Sequence, residues 1–438
     1  MKKIVASVGL FAVGASGVHA ASITAPTVEG AKPWSVAVTL RGFYDDNVTT
    51  APNNANKTES FGFEASPSLG LNWASEQTSA SLNYVYSFRY YDKKPPGNTD
   101  NYDQTHSFNA LLNHNFSERY MVNVSDSFVI GQEPDLLRSQ NTFTDFQRVP
   151  GDNIRNYGQI KFNAQLSRLF GLELGYQNSF FHYADEGAFF DQDTGDFVSA
   201  SRAGLLDRIE HYVHIDGRWT VQPETTAVLG YRFGLTEYTG NEQIGVDDLT
   251  GDPIFSEVRN QRSHYAYVGV DHVFRPDLTA SVRIGGRYTD YYNEAGHPTE
   301  VGPSAQASMQ YTYAPESYIE LGVTHDRNAT DLFGVQNGSV TTDAESTAVY
   351  GTLNHRIMPR LYGSLTGQFQ NSSLNGGLYN NIKEQYYLIG LNVEYRFNPH
   401  LSVHAGYNYD KLESDADTVA VNRSFDRNRV YIGVTASY

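Results

Sequence analysis

Histidine, serine and aspartate, side chains that often act as nucleophiles or general bases, occur as adjacent pairs in this sequence. His106 is followed directly by Ser107, and Asp271 is followed directly by His272. Neighbouring side chains in an extended strand point to opposite faces of the sheet, so neither pair can form a direct hydrogen bond there. These two pairs therefore do not predict a catalytic site.

The other histidines are no better placed for catalysis or for metal binding. His211 and His214 lie three residues apart, so they also diverge in a strand and miss the i, i+2 spacing that a metal site on a strand would use. His325 precedes Asp326 but lacks an obvious serine partner. The sequence therefore predicts that the protein is not an enzyme and that its histidines take interfacial or lumenal positions.

One acidic segment could bind a cation. Asp191–Asp196 reads Asp-Gln-Asp-Thr-Gly-Asp, with carboxylates at alternating positions around a glycine, and calcium prefers such oxygen ligands. The segment lacks the twelve-residue loop that ends in a bidentate glutamate. We interpret it as a solvated acidic loop, like the one that contains Asp247, Asp248 and Asp252, and a calcium site stays the alternative.

Composition excludes several other kinds of site. The chain has no cysteine, which excludes disulfides, thiolate metal sites and cysteine nucleophiles. Its formal net charge of −17 makes a nucleic-acid partner improbable, because phosphate contacts depend on clustered lysine and arginine. The sequence contains neither a Walker-type phosphate loop nor a GxGxxG motif that opens a helix. We therefore predict no cofactor, no bound metal and no nucleic-acid partner.

The elements that must carry these residues are β-strands. Apolar and polar residues alternate with a period of two along most of the chain, as between Val36 and Arg41 and between Tyr387 and Phe397. Many of these segments run about 11 to 15 residues, roughly twice the length of strands in soluble sheets. A tilted strand of about 10 residues crosses the hydrocarbon layer of a membrane. Strand length therefore favours a transmembrane sheet over a soluble sandwich.

Short and long connections alternate between the strands. Short ones fall near residues 75–78, 115–118, 167–170, 222–224, 275–277, 314–316, 358–360 and 398–400, and the long ones include 92–104, 132–155, 185–206 and 238–260. Tight periplasmic turns and long external loops are typical of outer-membrane barrels. We predict an all-β fold, a transmembrane antiparallel up-and-down β-barrel of about 18 strands, with both termini in the periplasm.

The N-terminus predicts export from the cytoplasm. Lys2 and Lys3 precede an apolar segment at Ile4–Val13, and a small-residue cleavage site at Val18–Ala20 follows. Residues 1–20 are therefore predicted to be a signal peptide, and residues 21–438 a single barrel domain in the outer membrane of a Gram-negative bacterium. Outer-membrane lipid and lipopolysaccharide would then surround the barrel.

Aromatic residues recur at one offset from the short turns. Four residues before a turn proline stand Trp219, His272, Tyr311, His355 and Tyr395. Amphipathic rings settle at headgroup depth, so a shared offset on the outward face is what an aromatic girdle needs. We interpret these positions as the periplasmic girdle.

The face of each strand opposite the apolar one should line the lumen. Ten basic and seven acidic residues fall on this face, and the acidic ones include Glu173 and Glu320. The wall is therefore predicted to carry a net charge of about +3. Because a permeating ion passes within about 8 Å of the wall, this charge predicts a weak preference for anions. The principal pore-lining candidates are Arg41, Glu64, Arg89, Lys161, Glu210, Asp216, Arg218, Arg232, Asp271, Arg283, Arg287, Arg356, Glu394, Arg396 and Arg429.

The last strand carries one apolar face that ends at an aromatic carboxylate. This face consists of Val430, Ile432, Val434, Ala436 and Tyr438. It resembles the C-terminal assembly signal of Gram-negative outer-membrane proteins. The resemblance implies that the barrel-assembly machinery and periplasmic chaperones are partners.

The segment Gly42–Val48, which follows the first strand, reads Gly-Phe-Tyr-Asp-Asp-Asn-Val and resembles the opening of the putative β-barrel porin family 2. The resemblance implies a barrel, sometimes linked to exopolysaccharide export, and it transfers no catalytic residue. The function that the sequence predicts is a channel for passive passage of small hydrophilic solutes, since barrels of 16 to 18 strands leave an aqueous lumen. Two alternatives stay open: an exopolysaccharide-export or surface-assembly component, and a plugged structural or binding barrel.

Overall fold

The computed structural model describes residues 32–94, 100–132, 151–191, 194–294, 296–418 and 423–438. The predicted signal peptide, residues 1–20, lies outside the described residues. The barrel strands are β1 (Trp34–Asp45), β2 (Ser60–Ala74), β3 (Thr78–Tyr91), β4 (Tyr102–Asn115), β5 (Tyr120–Gly131), β6 (Asn153–Gln165), β7 (Phe170–Tyr183), β8 (Arg208–Gln222), β9 (Thr225–Tyr238), β10 (Gln261–Arg275), β11 (Leu278–Asp290), β12 (Thr299–Ala314), β13 (Ser317–Asn328), β14 (Asp343–Met358), β15 (Leu361–Asn375), β16 (Lys383–Asn398), β17 (Leu401–Ser414) and β18 (Phe425–Ser437).

The strands form one closed, 18-stranded antiparallel sheet in which each strand pairs with the next along the chain. The barrel closes where β1 pairs with β18, in a register that places Val38 opposite Ala436 and Asp45 opposite Arg429. Closure satisfies the backbone groups that an open sheet edge would leave unpaired. The predicted fold and strand number are confirmed.

The connections at one end are short and those at the other end are long, as predicted. At the short-turn end, the backbone N–H of Ser75 donates to Thr78 at 2.7 Å. Both chain ends of the barrel lie here too, because the backbones of Val36 and Tyr438 exchange hydrogen bonds of 3.1 and 2.8 Å. An even number of strands produces this arrangement.

The longer connections carry small hairpins and short helical turns. The hairpins pair Phe189–Phe190 with Phe197–Ser199, Gln243–Val246 with Pro253–Phe255, and Val335–Gln336 with Ser339–Val340. The helical elements are α1 (Arg202–Leu206) and 3-10 turns at Ser256–Arg259, Gly377–Tyr379 and Asp415–Thr418. No helix in the described ranges is long and apolar enough to cross a membrane.

These longer connections pack against one another at their end of the barrel. The Arg259 side chain is fully buried and donates hydrogen bonds to the carbonyls of Leu205 and Thr330, which belong to two other loops. Arg423 forms a 2.9 Å ion pair with Asp331. A small apolar cluster of Leu332, Ala344, Leu374, Tyr379 and Ala416 lies beside these contacts.

Candidate functional site: the lumenal wall

Charged side chains on the inward face of the first strands form a triad of two arginines and one carboxylate. Register places Arg41 opposite Glu64 and Glu64 opposite Arg89, on β1, β2 and β3. The Glu64 carboxylate lies 3.6 Å from Arg41 Nη1 and 3.2 Å from Arg89 Nη2, and its side chain is only 4% exposed. Two positive charges thus share one negative charge, which leaves the triad at +1.

Two further triads with the same stoichiometry lie on β8 to β13. Asp271 pairs with Arg218 at 2.7 Å and with Arg283 at 2.8 Å. A second carboxylate, Asp326, lies 3.1 Å from Arg232 Nη2 and 3.4 Å from Arg287 Nη1. The Asp326 triad also carries +1, whereas Arg218 of the Asp271 triad lies 3.7 Å from a second carboxylate, Glu173, which brings that group to zero. We call the three groups the arginine triads, centred on Glu64, Asp271 and Asp326.

Tyrosine rings support the Asp326 triad. The Arg232 guanidinium lies 3.7 Å from the ring centroid of Tyr265 and 5.3 Å from that of Tyr212. The Arg287 guanidinium lies 5.2 Å from the Tyr265 ring and also donates to Gln261 at 3.0 Å. Cation–π contacts of this kind hold arginines in place while leaving their charge intact.

A polar recess of about 170 Å³ opens on the same wall, between β6 and β13. By volume, it could hold about six water molecules. Lys161 and Asp216 line it, and Asp216 accepts a hydrogen bond from the Tyr267 hydroxyl. His214 also lines it and lies 3.3 Å from Glu173. The recess therefore exposes charged and hydrogen-bonding groups to the lumen.

The other sequence-predicted candidates form pairs away from the triads. Arg429 pairs with Asp410 at 3.0 Å and Glu210 with Arg208 at 2.8 Å. Towards the short-turn end, Arg396 pairs with Glu394 at 2.9 Å and Arg356 with Glu316 at 3.5 Å.

Asp326 and Asp410 were missed as lumenal residues by sequence reasoning. The sequence does contain the signal for both, because residues two positions apart in a strand share a face. Asp326 lies two residues after the inward Thr324 on β13, and Asp410 lies six residues after the inward His404 on β17. In the sequence analysis, Asp326 is named only as the neighbour of His325. Extending the two-residue alternation along the whole of each strand predicts that Asp326 and Asp410 face the lumen.

Several histidines lie on the outward face and pair with tyrosines of the adjacent strand. The hydroxyls of Tyr84, Tyr176 and Tyr231 lie 2.9, 2.8 and 2.7 Å from Nδ1 of His106, His211 and His264. His325 is within 2.8 Å of the Thr347 hydroxyl. Within the described part of the chain, no three histidine, aspartate or glutamate side chains are close enough together to hold a metal ion.

In the acidic segment at Asp191–Asp196, of which Gln192 and Asp193 lie outside the described residues, Asp191 stabilises the hairpin turn. Oδ1 of Asp191 accepts the backbone N–H of Thr194 at 2.9 Å, and the N–H of Gly195, which has φ of +75°, donates to the Asp191 carbonyl. The neighbouring loop repeats this pattern: Asp247 Oδ1 accepts from Thr250, and Gly251 has φ of +79°. The first aspartate of each motif thus acts as a turn residue.

The outward face of the barrel carries a band of exposed apolar side chains. Val268, Ile284 and Ile432 are 59 to 64% exposed, although exposure of large apolar side chains to water is unfavourable. Near the short turns the band ends in aromatic contacts, such as Phe170 with Trp219 and Tyr395 with Phe397. A closed sheet with an apolar exterior and a charged interior is compatible with lipid outside and water inside. The protein is a membrane-spanning β-barrel.

The C-terminal strand of this barrel presents its predicted apolar face outward. Val430 is 50% exposed, Ile432 64% and Tyr438 62%. The Tyr438 ring packs against the Trp34 ring in a tilted arrangement, with centroids 5.8 Å apart, and so joins the two ends of the barrel.

Residues 302–438 match the family model described as Putative beta-barrel porin 2. The resemblance that Gly42–Val48 suggested is thus confirmed on the C-terminal part of the barrel. Among curated proteins, no sequence matches this chain.

Several solved outer-membrane proteins match this chain at low identity. OpdK of Pseudomonas aeruginosa, solved with vanillate, is 13% identical, and the match covers 92% of this chain and 99% of OpdK with a TM-score of 0.44. OccAB4 of Acinetobacter baumannii is 12% identical, with 93% and 99% covered and a TM-score of 0.42. The siderophore receptor PirA of Acinetobacter baumannii is 10% identical, with 92% and 80% covered and a TM-score of 0.41.

Proposed function

We propose that this protein is an outer-membrane channel through which small hydrophilic solutes pass by diffusion. The observation that carries the proposal is the set of arginine triads, because they place net charge on the inner wall of a barrel whose outer face is apolar. Barrels of this strand number are wide enough for an aqueous lumen. Charged walls keep that lumen wet and favour polar solutes.

The proposed orientation places the short turns and both ends of the barrel in the periplasm and the long loops outside the cell. Short periplasmic turns and long external loops are the rule for bacterial barrels. The outward face of Val430, Ile432, Val434, Ala436 and Tyr438 would then be the signal that the assembly machinery reads. Lipopolysaccharide would surround the upper part of the barrel.

We further propose that the fifteen charged candidates line the pore and give it a weak anion preference. The triads centred on Glu64 and Asp326 each contain one more arginine than carboxylate at the lumenal wall. A permeating ion passes within a Debye length of the wall, about 8 Å at physiological salt, whereas charges on distant loops are screened. The wall should therefore outweigh the acidic loops in selecting ions.

Reversal potentials across a salt gradient test this proposal. The purified protein should favour anions weakly, and the preference should grow from low to moderate salt as the loop charges are screened. Replacing both Arg283 and Arg287 with glutamine should erase it. A cation preference that persists at high salt would contradict the assignment of the wall as the selective element.

A plugged barrel is the second candidate, and the packing of the external loops favours it. Arg259 links three loops, and the Asp248 carboxylate accepts backbone N–H groups from Asn337 and Gly338 at 2.7 and 2.8 Å. The two N–H groups lower the pKa of Asp248, so this link persists at neutral pH. Deleting the hairpin between Gln243 and Phe255 should raise the conductance if the loops obstruct the mouth. The exopolysaccharide-export alternative rests on the family resemblance alone.

A further inference from the structure

A polar island interrupts the lipid-facing surface of β5, β6 and β7. The outward residues of β5 include Val124, Asp126, Phe128 and Ile130, so a carboxylate lies within an otherwise apolar row. Asp126 is exposed, and its Oδ1 accepts a hydrogen bond of 3.0 Å from Asn156 on β6. Polar groups in contact with lipid are costly, and ionisable ones there are usually functional.

Asn178 on β7 completes the island. It pairs in register with Gly158, which pairs on its other side with Asp126. A Cβ at position 158 would lie 2.6 Å from Asn178 Oδ1 and 3.5 Å from Asp126 Oδ1, so both side chains lean over this glycine from the two flanking strands. The absence of a side chain at Gly158 is what allows them to converge.

The island has hydrogen-bonding capacity that the barrel itself does not use. Among the described residues, the Asn178 side chain forms no hydrogen bond, and Asp126 is bonded only through Oδ1. Acyl chains can neither donate nor accept a hydrogen bond, so these groups would be unsatisfied in lipid. The island is flanked across the neighbouring strands by Ala110 and His211, and Ile160, which is 46% exposed, follows it on β6.

We propose that this island is the contact surface for a second copy of this chain in the membrane. The island contains both a donor, the Asn178 amide, and an acceptor, the free oxygen of Asp126, and is therefore complementary to itself. A two-fold axis through Gly158 lets each Asn178 donate to the partner's Asp126, as an isologous interface requires. The apolar residues around the island then pack against the same residues of the partner, and the missing side chain at Gly158 permits close approach. This inference is independent of what passes through the lumen.

Disulfide cross-linking in native membranes tests the interface, because the chain has no cysteine of its own. Ile160→Cys on β6 should yield a covalent dimer on oxidation. Leu391→Cys on β16 is the matched control, since Leu391 has the same 46% exposure and lies ten strands away on the opposite side of the barrel. Equal cross-linking of the two variants, or of neither, would overturn the proposal, as would a cross-link of Ile160→Cys to a protein of another mass.

Replacing the polar side chains of the island with leucine distinguishes an interface from a lipid-facing surface. At an interface the replacement should weaken the association of the two copies, whereas on a lipid-facing surface it should only stabilise the barrel. In the Ile160→Cys background, Asp126→Leu with Asn178→Leu should reduce cross-linking about tenfold or more, because two hydrogen bonds between the copies are lost. The folded barrel should persist, as judged by its heat-modifiable migration. Undiminished cross-linking would contradict the role of the island. A variant that differs only in a higher unfolding temperature would also contradict this role, because that result is expected if the island faces lipid.

Discussion

Removing the shared carboxylate of a triad should destabilise the barrel more than removing one of its arginines. Glu64→Gln removes the carboxylate that Arg41 and Arg89 share, whereas Arg89→Gln leaves a one-to-one pair of Arg41 and Glu64. Loss of one partner from a buried ion pair costs about 3 to 5 kcal/mol. The arginine side chains retain 10 and 17% exposure, so water reaches them and we expect a value near the lower limit, about 3 kcal/mol.

Arg89→Gln should cost only about 1 kcal/mol, since one charge-assisted contact is lost and no charge is left unpaired. The assay is reversible urea unfolding of the barrel in phospholipid vesicles, which gives the free energy of unfolding of each variant. The double variant Glu64→Gln with Arg89→Gln should be more stable than Glu64→Gln alone, because it removes one of the two arginines that have lost the Glu64 carboxylate. Equal costs for the two single variants, or a larger cost for Arg89→Gln, would refute the sharing of Glu64 by both arginines.

Three other predictions concern topology, the lipid face and the loops. Tags inserted at Gly195 or Gly251 should be labelled on intact cells, whereas a tag in the turn at Pro276 should be labelled only after permeabilisation. Labelling of the Pro276 tag on intact cells would contradict the proposed orientation. Arginine at the outward Val282, Leu391 or Ile432 should cost about 2 to 4 kcal/mol of unfolding free energy, and arginine at the inward Asn392 much less; equal tolerance would refute the assigned faces. Burial raises the pKa of Glu294 to about 7, so the loop packing that buries this side chain should be most stable below pH 4.5 and lose stability as pH rises through 7, although the Val340 backbone hydrogen bond favours the ionised carboxylate. Hydrogen exchange at Val340 should show this excess pH dependence, and Glu294→Gln should remove it.

The strand number and the order of short and long connections were predictable because both are encoded locally. Alternation of apolar and polar residues reveals each strand, and turn residues such as Pro276 and Pro399 mark where it ends. In an up-and-down barrel each strand pairs with the next, so local order also determines which strands are neighbours. The Glu64 triad follows directly, because its members lie on three consecutive strands.

The other two triads could not be predicted in the same way. Arg218 reaches Asp271 across β9, and Arg232 reaches Asp326 on a strand four places further along the chain. Such contacts depend on the length and direction of the arginine side chains and on the curvature of the barrel, which the alternation pattern does not contain. The turn role of Asp191 likewise depends on the positive φ of Gly195, a property of the folded backbone.

Single-channel recording of the purified protein in planar lipid bilayers tests the proposed function most directly. The account predicts discrete open steps of porin size, with a current that depends on salt and a weak preference for anions set by the triads. Bilayers that stay silent although the protein has inserted as a folded barrel would contradict the channel and favour the plugged alternative.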